Sequence, residues 1–303
     1  MVELIEDAAQ ALEHRLAGVS FALLAIALAL HFAKVAARSR AWHNIAQAAF
    51  PEERLRFGHS FGAYLCGAGT NAVVPARSGE VLKLRLMHGK APETRYKGLA
   101  STLLTESLFD VATTAVVLVA GFSLGLAFFG PSLPTPLALV AGHPWPVVGA
   151  AFALSLAVVL LRHKLPRLAA GSGRGFRILR QPRRYLTTVA SWQLAALGLR
   201  TASILCFLAA FHLAATPQTA LLVLGIQSAA DLVPLTPNGA GTQQALLVVA
   251  LGASAAGFGV GMQVATGAME VVLALIALPL MTGSLSWPRA TAAADLEAAA
   301  STP

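Results

Sequence analysis

The chain has 303 residues, of which 56% are hydrophobic and 12% charged, with a mean hydropathy of +0.67. A soluble domain carries about 25% charged residues, so too little polar surface exists here to coat a soluble globule, and the chain reads as an integral membrane protein. The net charge of +8 is unevenly spread, and Cys66 and Cys206 both lie in apolar stretches, which argues against a disulfide framework.

Residues 1–16 are acidic, with Glu3, Glu6, Asp7 and Glu13 against Arg15, unlike the basic start of a secretory signal. They read as an outer N-terminal segment. Apolar stretches follow at about 17–36, 58–75, 79–89, 98–129, 145–161, 186–213, 219–235, 242–257 and 262–283. From Ser284 the Ala-rich tail, 284–303, reads as a disordered cytoplasmic segment. The expected domain organisation is a single all-helical, polytopic membrane domain over 17–283.

The basic residues fall mainly in three clusters. The first runs from Lys34 through Arg38 to Arg56, the second from Lys83 to Lys97, and the third from Arg162 to Arg184. Segments 130–144, 214–220 and 252–262 hold no Lys or Arg. By the positive-inside rule the clusters are cytoplasmic, with the N-terminus outside and the C-terminus inside a plasma (inner) membrane. Trp42, Trp145, Trp192 and Trp287 are expected near the interfaces. Residues 58–89 must then leave and return to one side, and 219–257 to the other. Each stretch has short arms about a Pro/Gly-rich point, Pro75–Gly79 or Pro234–Gly241, and reads as a re-entrant hairpin.

A shift of 164 carries Glu80 onto Gln244 and Glu106 onto Glu270. The two halves, about 17–129 and 186–283, then read as inverted repeats joined by a connector span at 145–161. Inverted repeats with broken helices at mid-membrane are a transporter architecture.

Seven ionisable residues lie within apolar stretches: Arg77, Glu80, Glu106, Asp110, Arg200, Asp231 and Glu270. Each costs about 2.5–3.5 kcal/mol at a lipid-facing helix centre, so they should face an interior or a cavity. Arg77, Ser78, Gly79 and Glu80 at the first tip, and Asn238, Gly239, Gly241 and Thr242 at the second, form a candidate substrate site. Two helix N-termini and one guanidinium suit an anion, most naturally phosphate; the alternative is that Arg77 pairs with Glu80 to hold the hairpin. Glu106 and Asp110 share a helix face, and carboxylates that close resist double ionisation. They suit a proton or an ammonium head group, or else fix packing by hydrogen bonds. Glu270 takes the corresponding place in the last span, and Arg200 is a candidate counter-charge. Asp231 can cap or pair near the second tip.

No metal or cofactor is expected, because the His residues are scattered without ligand spacing. Gly58-His-Ser60-Phe-Gly62 matches a hydrolase motif without its strand context, and the chain is not expected to be an enzyme. Gly171–Gly175 reads as a flexible run, and the 162–184 cluster as a contact to anionic lipid rather than nucleic acid.

The run Asn71-Ala-Val-Val-Pro-Ala-Arg-Ser-Gly-Glu80 with Lys83 resembles the N…P-x-R-x-G-E-x-x-[RK] signature of the lysylphosphatidylglycerol synthase transmembrane (flippase-like) family. Thr105–Asp110 resembles its E-R-x-x-D segment, with Ser107 in place of Arg. Pro234–Gly241 resembles its P-x-x-P-G-G-x-G segment, with Gln244 where that signature ends in Glu. The resemblance implies a multispan protein that moves, or helps move, phosphate-bearing lipids or lipid-linked precursors between leaflets, and implies no aminoacyl transfer. Membrane lipids are then the expected partners. The alternative is a non-transporting accessory subunit of envelope or lipid biosynthesis.

Overall fold

The computed structural model describes residues 18–74, 78–92, 94–123, 173–231, 241–252 and 255–283. Among these the chain is all-helical. The helices are α1 (Phe21–Ala49), α2 (Phe57–Val73), α3 (Ser78–Lys90), α4 (Tyr96–Ser123), α5 (Pro182–Ala210), α6 (Pro217–Asp231), α7 (Thr242–Leu251) and α8 (Ala255–Thr282). A 3-10 segment, Gly173–Arg180, precedes α5, whose residues Leu186–Ala190 widen into a π turn. Four helices, α1, α4, α5 and α8, are long and apolar enough to cross a membrane. The expected connector span, both termini, Trp145 and Trp287 lie outside the described residues.

Local chemistry sets the breaks. Alanine is the best helix former, and Ala33, Ala36, Ala37, Ala41, Ala46, Ala48 and Ala49 carry α1 well past the apolar run 17–36, up to Pro51. The residue before a proline is pushed out of the helical region, and Phe50 takes φ −126°, ψ 70°. Val74 is likewise extended ahead of Pro75 and stops α2. Gly252, at φ +85°, ends α7 by donating its N–H to Val248 O.

The described helices form two runs of the same order: long, short, short, long. The lengths are 29, 17, 13 and 28 residues in the first run and 29, 15, 10 and 28 in the second. The shift of 164 carries Ser78, the first residue of α3, onto Thr242, the first residue of α7. The leading helices are antiparallel, because Ser20 N–H donates to Ala210 O while Asn44 Nδ2 reaches Thr188 O.

The runs interlock. α1 packs along α5, α2 along α8, and α4 against α6. At one end, Phe50 from the close of α1 meets Gly98 at the start of α4 and the guanidinium of Arg174. At the other end, Phe211 after α5 packs on Phe258 and Gly261 at the start of α8. The pair α2–α3 therefore opens to the first end and α6–α7 to the second. The core divides accordingly. One cluster holds Phe207, Val223, Leu247 and Phe258, a second holds Trp42, Phe50, Met87 and Leu278, and a third, smaller one joins Ala41, Ile45 and Ala48 to Ile178 and Val189.

Four readings from sequence are corrected here. Trp42 is fully buried rather than interfacial, with Nε1 donating to Thr102 Oγ1 over 3.0 Å. Arg38 and Lys83, assigned above to cytoplasmic clusters, both turn inward to carboxylates. The glycine run is not flexible from Gly173 onward. Gly175 N–H donates to Ser101 Oγ and Thr105 Oγ1 donates to Gly175 O, seating the 3-10 segment on α4. A Cβ on Gly175 would lie 2.4 Å from Ser101 C, so only glycine fits that approach.

Candidate functional site

The first polar cluster draws on every helix of the first run. Glu106, from α4, has a side chain only 6% exposed, and both of its oxygens are engaged. Oε2 accepts from Lys83 Nζ at 3.0 Å, and Oε1 accepts from Tyr64 OH at 3.0 Å and from Arg38 Nη2 at 3.3 Å. Arg38 also donates to Asp110 Oδ2 at 2.6 Å and, through Nε, to Tyr64 OH at 2.9 Å. Lys83 lies 3.4 Å from Glu80 Oε2 and sits over the rings of Trp42 and Tyr64, at 4.5 and 4.2 Å from their centroids. The like-charge crowding suggested by Glu106 and Asp110 is thus relieved by two cations. Lys83 is 3% exposed, whereas Asp110 and Glu80 are 43% and 40% exposed. The cluster therefore presents carboxylates at its rim around a neutralised centre.

The first tip lies beside it. Asn71 Oδ1 accepts the N–H of Gly79 at 2.8 Å, so an α2 side chain fills one of the free amides at the start of α3. Ser78, the first residue of α3, has no hydrogen-bond partner for Oγ among the described residues. Gly79 is there for contact: a Cβ on it would stand 1.9 Å from Gly67 O. Arg77, Asn238 and Gly239 lie outside the described residues.

The second cluster spans the two runs. Glu270, buried on α8, has Oε1 2.9 Å from His31 Nε2 on α1, and Lys34 Nζ stands 3.2 Å from the same nitrogen. One ring nitrogen cannot donate to a carboxylate and accept from an ammonium at once. The three groups therefore share a proton arrangement that their surroundings must choose. Glu106 faces permanent cations, whereas Glu270 faces an imidazole whose charge depends on protonation.

Nearby, Gly241, at φ +85°, donates its N–H to Gln244 Oε1 at 2.6 Å, and Gln244 Nε2 donates to Gln263 Oε1. Gln244 thus performs the backbone-accepting part of a Glu and adds a donor to α8. Thr242 opens α7. Arg200 donates through Nε and Nη2 to Gln227 Oε1, at 3.1 and 2.8 Å, joining α5 to α6. Asp231 is the last residue of α6.

Residues that flank the two tips reach the same stretch of α8. A Cβ on Gly267 would meet Ala72, near the first tip, at 3.8 Å, and Gln263, four residues earlier, binds Gln244 near the second. Four residues of helix rise about 6 Å, and both positions lie in the N-terminal half of α8, Ala255–Thr282.

Sequence reasoning overlooked Arg38, Tyr64 and His31 as network members. The Ala-rich continuation of α1 past Lys34 was the available signal for Arg38. Ser60 of the hydrolase-like motif lies on α2, fully buried, with His43 Nδ1 2.9 Å from its Oγ. It is a packed side chain on a helix rather than on a strand-to-helix turn. Among the described residues no group of three His, Cys, Asp or Glu is placed to hold a metal.

Comparison with known proteins gives one assignment. The family model described as lysylphosphatidylglycerol synthase TM region matches residues 8–282. No curated protein and no solved structure matches.

Proposed function

Since the chain belongs to the lysylphosphatidylglycerol synthase TM region family, we propose that it is a flippase-like translocase for a phosphate-bearing lipid or lipid-linked precursor, and not an enzyme. The observation that carries the reading is the approach of residues flanking both tips to one stretch of α8, through Ala72–Gly267 and Gln244–Gln263. α2 and α3, at 17 and 13 residues, extend about 25 and 20 Å, against a hydrocarbon core of about 30 Å. They are re-entrant arms that end inside the bilayer. The two equal-order runs, with antiparallel leading helices, are inverted repeats that rock about this level to give alternating access.

In this scheme Arg77, with Ser78, Gly79 and Glu80 at the first tip and Asn238, Gly239, Gly241 and Thr242 at the second, holds the phosphate. The His31–Glu270 pair takes up or releases a proton as the runs move, while Glu106, Asp110 and Arg200 keep the walls polar. The protein sits in the inner membrane with the basic end cytoplasmic and the acyl chains of its substrate in lipid.

The test is translocation of a fluorescent phospholipid and of a polyprenyl phosphate in liposomes. A charge-assisted guanidinium–phosphate contact contributes about 1.5–3 kcal/mol. Arg77→Ala should therefore lower substrate affinity roughly 10- to 100-fold, and Arg77→Lys should recover part of it, lacking the fork. If Arg77→Ala moves every lipid as well as wild type, the anion site is wrong.

A second reading is favoured by the occupied Gly79 amide and the saturated Glu106, which are what a fixed brace requires. It is an accessory membrane subunit, and it tolerates Arg77→Ala.

Placement in the membrane has its own check. With Cys66 and Cys206 replaced by Ala, cysteines at 90 and 256 should be labelled from opposite faces. Labelling from one face would remove the inverted-repeat scheme.

A further inference from the structure

The 3-10 segment Gly173–Arg180 has about three residues per turn, which stacks side chains three apart on one face. Arg174, Arg177 and Arg180 follow that spacing, and all three are exposed. Phe176 and Ile178 are buried on the inner side, 5% and 1% exposed. The backbone at Gly175 is pinned to Ser101 and Thr105 of α4. Arg183 and Arg184, also exposed, extend the row into the first turn of α5. The result is a fixed ridge of guanidinium groups on an ordered segment.

Its surroundings specify the partner. The ridge stands where α1 ends and α4 and α5 begin, with Arg174 over the ring of Phe50. Beyond Arg184 the exposed surface of α5 carries Leu186, Trp192 and Leu194, interspersed with Thr187 and Ser191, whose hydroxyls bond back to the helix backbone. Charge giving way to an aromatic and aliphatic surface within about two turns is the profile of the head-group boundary. An acidic soluble partner would leave that apolar belt unexplained.

We infer that the ridge Arg174–Arg177–Arg180, continued by Arg183 and Arg184, is a docking site for the phosphate groups of anionic phospholipids at the membrane surface. The site is separate from the hairpin tips and operates whether or not the protein translocates lipid. Its rigidity distinguishes it from a loose polybasic tail, because the row is held open by buried anchors and costs little entropy to occupy.

The test uses the purified full-length chain in neutral detergent and measures binding of short-chain phosphatidylglycerol, short-chain phosphatidylcholine, inorganic phosphate and a polyglutamate peptide. Each basic residue near an anionic surface contributes about 1 kcal/mol. The variant R174Q/R177Q/R180Q should bind phosphatidylglycerol roughly 10- to 100-fold more weakly, with phosphatidylcholine unchanged. The charge-preserving R174K/R177K/R180K should stay within about threefold of wild type, and its elution as a monodisperse peak confirms that the fold survives. Salt at about 1 M, where the screening length is about 3 Å, should abolish the preference. Equal phosphatidylglycerol affinity for the Gln variant and wild type overturns the inference. So does tighter binding of inorganic phosphate or polyglutamate than of phosphatidylglycerol.

Discussion

Lys83→Met should be among the most destabilising single substitutions in this chain. The methionine fits the space between Trp42 and Tyr64, but it removes the donor that, among the described residues, serves Glu106 Oε2 at 3.0 Å. Breaking a buried pair by deleting one partner costs about 3–5 kcal/mol, because the remaining charge is stranded. Glu106→Gln alone should cost less, since an amide still accepts from Tyr64 and Arg38 keeps Asp110 at 2.6 Å. The double variant Lys83→Met/Glu106→Gln should recover much of the loss, with a coupling of roughly 2 kcal/mol. Equilibrium unfolding of the four proteins in detergent measures the cycle. Additive effects would show that Lys83 and Glu106 do not act as a pair.

Gly79→Ala is the second large effect, and its sign is opposite to helix propensity. An exposed Gly→Ala change within a helix is worth up to about 1 kcal/mol of stabilisation. At Gly79 the new methyl would sit 1.9 Å from Gly67 O and 2.7 Å from Asn71 Oδ1, and the backbone oxygen cannot rotate away. Overpacking of this kind costs about 1–3 kcal/mol. α2 and α3 must part, and the Asn71–Gly79 hydrogen bond goes with them. Gly58→Ala is the control, because nothing lies within 4 Å of its Cβ position. If both variants unfold at the same denaturant concentration, the close approach of the two arms is not a constraint.

The sequence reveals the long elements and hides the network. Apolar run length located the four long helices, because a bilayer demands about 20 apolar residues whatever the tertiary structure. Pro75 marked a break through backbone chemistry alone, whereas the ends of α1 before Pro51 and of α7 at Gly252 were not read from the sequence. The polar contacts were harder. Lys83 looked like a cytoplasmic charge because it sits in a basic stretch, and only its place between two rings and two carboxylates makes it internal. Arg38 was concealed in the same way by Lys34 and Arg40. Glu106 and Asp110 stood out because acids within an apolar run have no bland explanation, whereas basic residues near a helix end do. Gly175 was misread because glycine permits both mobility and close packing, and the choice rests on Ser101 and Thr105, about 70 positions away.

Interlocking of the two runs sets the order in which the protein can be made. Gly69 packs on Glu270 O and Ala274, on a helix synthesised some 200 residues later. At a ribosomal rate of about 5–20 residues per second, α2 waits roughly 10–40 s for that partner. During the wait, the costly groups of the early helices are already cared for. Arg38, Lys83, Glu106 and Asp110 all belong to the first four helices and pair among themselves. The nascent half can thus leave the insertion machinery with this first cluster already paired. What it lacks until α8 arrives is the Glu270 partner of His31, together with apolar and small-residue packing that lipid can replace for a time.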